Sequence, residues 1–252
     1  MNDVIFRIER YSQKILAELD CMSNYQDVSK DILIIVHNQL FYLKKCVESI
    51  RRNTKNYQIY IWNNNSDQET KSWIESQKDI ICSHHDQNIG FIIPNNELMK
   101  ISKNPYAILL NSDTEVLPNW DKAMIGQIQQ HGYAQVGYLG GKINESGKGT
   151  IFNFGSDIDY ICGWCFCIPR FTYEKYGLFD EEHLRFAYCE DSDFSLRLTE
   201  FKERIYALHL GLVIHHENKT IKEVMKTIDC ESSFTRNHEI IKKRWSHRFF
   251  KS

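Results

Sequence analysis

From residue 31 onward the chain alternates short apolar runs with amphipathic segments, and this alternation restricts the fold more than any other feature. Residues 32–36 (ILIIV), 58–62 (QIYIW) and 106–110 (YAILL) are short and almost continuously apolar, so they read as strands covered on both faces. Between them, 40–53, 67–77 and 94–102 carry apolar residues at helical spacing, the last entered through Pro94, and 80–82 adds a short strand. Strands separated by crossover helices predict an α/β chain with a mixed, mostly parallel sheet flanked by helices.

The second half is less regular. Residues 137–141 and 144–149 are turn-rich, 161–168 reads as one strand, and 171–176 as a short helix before Gly177. A helix over 191–201 should place Phe194, Leu198 and Phe201 on one side, with strand pieces at 204–208 and 212–214. Helical spacing of Val4, Ile5, Ile8, Tyr11, Ile15, Leu16 and Leu19 predicts an amphipathic helix over 3–22. The basic, amphipathic 228–250 should pack back through Phe234, Ile241, Trp245 and Phe249. A body over 31–220 thus carries helical additions at 1–30 and 221–252, whose outer faces leave room for a partner or a second copy.

Composition excludes several classes. Lys plus Arg number 31 against 33 Asp plus Glu, a net charge of −2, so no basic surplus points to nucleic acid. With 13% aromatic residues, 12 Gly and 4 Pro, the chain is poor in linkers and rich in core-forming rings. No window reaches the roughly 20 apolar residues of a transmembrane segment, and the start lacks a signal-peptide core. The expectation is a cytoplasmic protein, with a peripheral place at a membrane face left open. Eight cysteines then read as reduced thiols; Cys162, Cys165 and Cys167 lack a second pair of matching spacing, so they read as a packed strand rather than a zinc site.

In an open α/β sheet, ligands lie beyond the carboxyl ends of parallel strands. Those ends are strongly polar here: His37-Asn38, residues 63–67 (NNNSD) and residues 111–115 (NSDTE). Turn and cap formation explains such residues singly, and three clusters on one sheet edge less well. None is a glycine cradle, since both G-x-G-x-x-G and G-x-x-x-x-G-K-[ST] are missing. A diphosphate bound here would need a cation on a carboxylate after a central strand, and Asp113 is the natural one. A second acidic cluster, 188–193 (YCEDSD), opens a helix, where acids serve either the helix dipole or catalysis. His215 and His216 directly follow an apolar strand, the usual setting of a metal ligand or a structural histidine.

Read together, seven segments resemble the family 2 glycosyltransferases of GT-A fold, with matching order over about residues 31–220. They are 32–50 (ILIIVHNQLFYLKKCVESI), 61–67 (IWNNNSD), 88–96 (NIGFIIPNN), 109–116 (LLNSDTEV), Gly163, 177–181 (GLFDE) and 190–197 (EDSDFSLR). The resemblance implies a Rossmann-like sheet whose 31–115 half binds a nucleotide sugar and whose 116–220 half holds the acceptor and the catalytic acid. It implies an inverting, metal-dependent transfer from a nucleotide-diphosphate sugar, UDP-linked by preference with dTDP or GDP as alternatives, to a hydroxyl of a glycan or other saccharide.

The resemblance also implies residue roles. Nucleotide-sugar contacts fall to Val36, His37, Asn38, Asn63, Asn65, Asn88, Gly90, Phe91, Asn95, Asn111, Ser112 and Asp113. Asp113 and His215 would hold Mn²⁺ or Mg²⁺, Asp191 would be the general base, and Glu190 would orient the acceptor or support the metal shell. Gly163, Trp164 and Tyr188 would face the acceptor. Two departures stand out: Asn111 replaces the first acid of the family's D-x-D element, and Asn63 replaces an Asp that commonly reads the base. They keep a second reading in view, a non-catalytic nucleotide-sugar-binding or scaffolding member. A nucleotidyltransferase would want a Gly- and Lys/Arg-rich loop after the first strand, which 36–42 lacks.

Overall fold

In the computed structural model, which describes residues 2–216 and 230–249, the apolar runs form the middle of a seven-stranded sheet. Strands β1 (Lys30–Val36), β2 (Tyr57–Asn64), β3 (Ile80–His85) and β4 (Tyr106–Leu110) lie parallel in the spatial order β3-β2-β1-β4. Beyond β4 come β10 (Cys165–Pro169), antiparallel, then β6 (Gln135–Gly137) and β11 (Ile205–Ala207).

Both faces of β1 are covered, which is why it carries no polar alternation. Ile32, Ile34 and Val36 pack in one core with Leu43, Cys46, Val47 and Ile50 of α2 (Leu40–Asn53), while Leu33 packs in the other with Ile92, Leu98 and Met99 of α4 (Ile92–Ile101). Between β2 and β3 runs α3 (Gln68–Glu75), capped by Asp67, whose carboxylate accepts from Thr70 N. Cys165 and Cys167 are fully buried on β10, in the same core as Ile32, which pushes both thiols far up.

The second half departs from the sequence pattern in several places. The expected strand over 161–168 is two, β9 (Tyr160–Ile161) and β10, broken at 162–164. The turn-rich 137–149 contains β7 (Gly140–Ile143), which joins β8 (Gly149–Asn153) and β9 in a three-stranded antiparallel sheet. A further helix, α5 (Trp120–His131), follows β5 (Thr114–Val116). After α6 (Arg170–Tyr176), α7 (Glu190–Glu200) buries Phe194 and Leu198 but ends before Phe201, which is 61% exposed instead of sharing their face.

The terminal helices both dock on this body. The first, α1 (Asn2–Ser23), leaves Tyr11, Leu16 and Leu19 largely exposed and buries Glu18 and Cys21 instead. The Glu18 carboxylate takes the Nδ1–H of His209 at 2.6 Å, the backbone N–H groups of His209 and Leu210, and the Tyr206 hydroxyl, satisfying a fully buried acid. The last helix, α8 (Cys230–Phe249), buries Ile241 and Trp245 as expected, while Phe234 is 39% exposed. Residues 228–229 and the side chains of Val4, Ile5, Ile8 and Phe249 lie outside what is described. Among the described residues no helix is long and apolar enough to cross a membrane.

Candidate active site

The chain moves outward from β1 to β3 and then returns to the far side of β1 with β4, so the strand order reverses between β1 and β4. This is where an open α/β sheet leaves a crevice at its carboxyl edge. A cavity of about 280 Å³ opens there. Its lining joins residues from across the sequence: His37 after β1, Asn88, Gly90 and Phe91 before α4, Asn111 to Asp113 after β4, Gly163 and Trp164 before β10, Tyr188, Glu190 and Asp191 at the start of α7, and His215.

Five of the residues assigned to nucleotide-sugar contacts line other parts of the structure. Val36 is fully buried beneath α2. Asn38 bridges two turns, its N–H donating to Ser66 Oγ and its Oδ1 accepting from Asp67 N. Asn63 is 2% exposed, its Nδ2 2.8 Å from His84 Nδ1 and its Oδ1 accepting from Ser66 N. Asn65 forms the left-handed turn after β2 at φ 61°, and Asn95 donates to Phe91 O within α4. Conversely, Ile35, Asn64, Cys162, Phe186 and Ala187 line the cavity without having been assigned to it. Asn64 is the organiser among them. Its Nδ2 donates to Asn88 Oδ1 and Gly90 O, and its Oδ1 accepts from Ile89 N, so one side chain fixes the 88–90 turn. Gly90 has φ +88°, and a Cβ there would stand 2.2 Å from Phe186 O, so only glycine lets the two lining loops meet.

Beside the stretch after β4 stands His215. Its strand, β12 (Val213–His215), pairs antiparallel with β5 and sets His215 against Thr114, while His216 N donates to Asp113 O. His215 Nε2 lies 3.3 Å from Asp113 Oδ1, out of line for a hydrogen bond, and is buried with no hydrogen-bond partner among the described residues. Strand alternation turns His216 away to Glu115, at 2.7 Å, which also takes Lys45. A buried imidazole nitrogen without a hydrogen-bond partner, beside a carboxylate oxygen, fits a divalent cation, which would take its remaining ligands from phosphate oxygens and water. No group of three or more His, Cys, Asp or Glu side chains forms such a site among the described residues, and Glu217 lies outside them. The Trp164 ring stacks on His215 at 5.0 Å and 12°, so one face assigned to an acceptor sugar is instead against the histidine.

The acid pair sits in the first turn of α7, which begins at Glu190 after Cys189 in the cap position. Asp191 Oδ2 accepts from Gly163 N at 2.8 Å and Oδ1 from Ser192 N at 2.6 Å. The Gly163 bond lies within the break at 162–164. Burial holds the Asp191 carboxyl above its ordinary range against these bonds. Glu190 is 6% exposed with Oε2 unpartnered, and burial together with the adjacent Asp191 charge pushes it up to about 8. Its folded value lies above the unfolded one, so the stabilising proton is present at low pH and lost as pH rises. Fold stability should therefore decline between about pH 5 and pH 8, and Glu190→Gln should flatten that decline in urea midpoints measured across the range.

The glycosyl transferase family 2 model matches residues 31–183, well over half of the chain. The chain belongs to this family. A search of curated protein sequences finds no match. Among solved structures, the chain is similar to GalNAc-T7 with UDP, GalNAc and Mn²⁺ at a TM-score of 0.62 and 14% identity, over 72% of this chain and 42% of that one. It is similar to S. aureus TarS 1-349 at 0.58 and 14%, over 79% and 63%. It is also similar to the mannosyltransferase PcManGT from Pyrobaculum calidifontis with GDP-Man and Mn²⁺ at 0.61 and 9%, over 97% and 80%. This family 2 chain therefore spans less than two thirds of the first two structures it resembles, and the likeness to all three is one of GT-A fold.

Proposed function

We propose that the protein is an inverting, metal-dependent glycosyltransferase that moves a sugar from a nucleotide-diphosphate sugar to a hydroxyl of a saccharide acceptor. The observation that carries this is the meeting, in one cavity at the strand-order reversal, of Asp113 and His215 with Glu190 and Asp191. Residues 31–115 would build the donor side, with His37, Asn88, Gly90 and Asn111 around the nucleotide sugar, and the described residues from 116 to 216 the acceptor side.

In the reaction, the acceptor oxygen bonds to C1 of the sugar as the C1–O bond to the diphosphate breaks, and the bonding pair leaves with the nucleoside diphosphate. Asp191 takes the hydroxyl proton, and its raised affinity for protons makes it a stronger base than an exposed carboxylate. Gly163 N fixes the orientation of that carboxylate. A divalent cation, Mn²⁺ or Mg²⁺, held by Asp113 and His215 would supply positive charge against the leaving diphosphate. The fold relatives carry UDP with GalNAc or GDP-Man in their structures, so both bases belong in the test. Asn63 stands at the family's base-reading position with its amide bonded to His84 and Ser66.

A thermal-shift panel of UDP, dTDP and GDP and their sugars, with Mn²⁺, Mg²⁺ or EDTA, tests the reading. The expected result is one nucleotide that raises the melting temperature only with metal. No shift with any combination overturns it. Asn111 in place of an acid favours the second reading, a member that binds donors without turnover; donor hydrolysis in Mn²⁺ without acceptor would eliminate it.

A further inference from the structure

The 185–189 loop, which precedes the acid pair, holds an unfavourable shape. Phe186, Tyr188 and Cys189 have φ of 63°, 72° and 70°, each in the left-handed region that costs a non-glycine residue about 1 kcal/mol or more. Three of its residues, Phe186, Ala187 and Tyr188, line the cavity. Such a loop keeps its shape only if its surroundings impose it. From one side, Phe186 O accepts from Phe91 N and Ile92 N at the start of α4. From the other side comes a residue about 50 positions later.

Asn237 of α8 is fully buried, and its side-chain groups bond to this loop. Its Nδ2 lies 2.8 Å from Arg185 O and 3.0 Å from both Ala187 O and Tyr188 O, and its Oδ1 accepts from Arg185 N at 3.0 Å. One turn earlier, Phe234 meets the Tyr188 ring edge-on at 5.3 Å. The helix is in turn fixed to α7 itself: Trp245 Nε1 and Arg244 Nη1 both donate to Asp193 Oδ1, two residues past Asp191. Loop and acid pair are thus referenced to the same helix. None of α8 lies within the residues matched by the family model.

Resting on the transferase reading above, we infer that Asn237 is a positioning residue for the acceptor side of the cavity: the C-terminal helix holds the 185–189 loop in the shape that presents Ala187 and Tyr188 beside Asp191. A purely structural Asn237 would affect folding alone. A positioning one separates acceptor use from donor binding.

The test compares the full-length wild type with Asn237→Ala and with Phe234→Ala, whose site is partly exposed and whose loss leaves the buried amide bonds in place. Calorimetry reads the affinity for UDP and GDP with Mn²⁺. Transfer from UDP-sugars and GDP-mannose to a panel of p-nitrophenyl glycosides is read as nucleoside diphosphate released above the rate without acceptor. Misplacement of the loop should lower kcat/KM for acceptor about 100-fold in Asn237→Ala. The lost aromatic pair in Phe234→Ala should lower it about threefold to tenfold. Nucleotide affinity should stay at the wild-type level in both. Unchanged acceptor kinetics with only a lower melting temperature, or an equal loss of nucleotide affinity, overturns the inference. Should Asn237→Ala fail to fold, Phe234→Ala decides by the same criteria. A wild type that binds nucleotide but transfers to no glycoside in the panel removes the acceptor assignment of this wall. One that binds no nucleotide overturns the transferase reading beneath it.

Discussion

Asp191→Asn is expected to reduce transfer by about 10²- to 10⁴-fold while nucleotide binding in Mn²⁺ stays near the wild-type level. The substitution preserves shape and removes the ability to take a proton. It also places an amide NH₂ where one of two backbone N–H groups, Gly163 N or Ser192 N, now finds a carboxylate oxygen. With the amide oxygen kept toward Gly163, the Ser192 N–H loses its partner, at a cost of about 1–3 kcal/mol. The melting temperature should therefore fall, and rates must be measured on folded protein well below it. Donor affinity is the control, because Asp113, His215 and the 88–91 turn are untouched. Transfer at a near wild-type rate would sink the base assignment and pass the role to Glu190, the buried acid beside it with an unpartnered oxygen.

How much of this site could be read from sequence depends on whether each position is set by local pattern or by a distant contact. The carboxyl ends of β1 and β4 were visible, because an apolar run that stops at His37 or Asn111 states both the strand and its edge. The end of β2 was visible only as a cluster. Side chains alternate along a strand, and it is Asn64, with its neighbours Asn63 and Asn65 directed elsewhere, that reaches the cavity. Helix α5 was concealed by Gly126 in its middle, a residue that normally weakens a helix. A Cβ at Gly126 would stand 2.6 Å from Cys21 O, so the glycine records the close approach of α1, which no local window contains. The break at 162–164 likewise holds a distant contact, Gly163 N with Asp191. Phe186 and Ala187 carry no reactive groups and take their place through distant contacts, Phe186 O with Phe91 N and Ile92 N and Ala187 O with Asn237, so nothing in their own segment announced them.

Asp113→Ala is expected to abolish the Mn²⁺-dependent part of nucleotide binding. In wild type, nucleotide at about 100 times its dissociation constant should stabilise the fold by about 2.7 kcal/mol when metal is present. In the variant, the curves with Mn²⁺ and with EDTA should coincide. His215→Ala should produce the same loss, and the double variant should lose little more, since two ligands of one ion cannot each be removed at full cost. That non-additivity is the sharper measurement. Asp113 and His215 already stand 3.3 Å apart, so a simple ion pair between them would also couple the two substitutions in the metal-free protein. The two cases separate by where the coupling is found: an ion pair couples them in EDTA as strongly as in Mn²⁺, whereas a shared cation couples them only when Mn²⁺ and nucleotide are both present. An undiminished Mn²⁺ response in Asp113→Ala would move the cation away from the end of β4. The diphosphate would then need another source of positive charge, and no glycine cradle stands at that sheet edge to provide it.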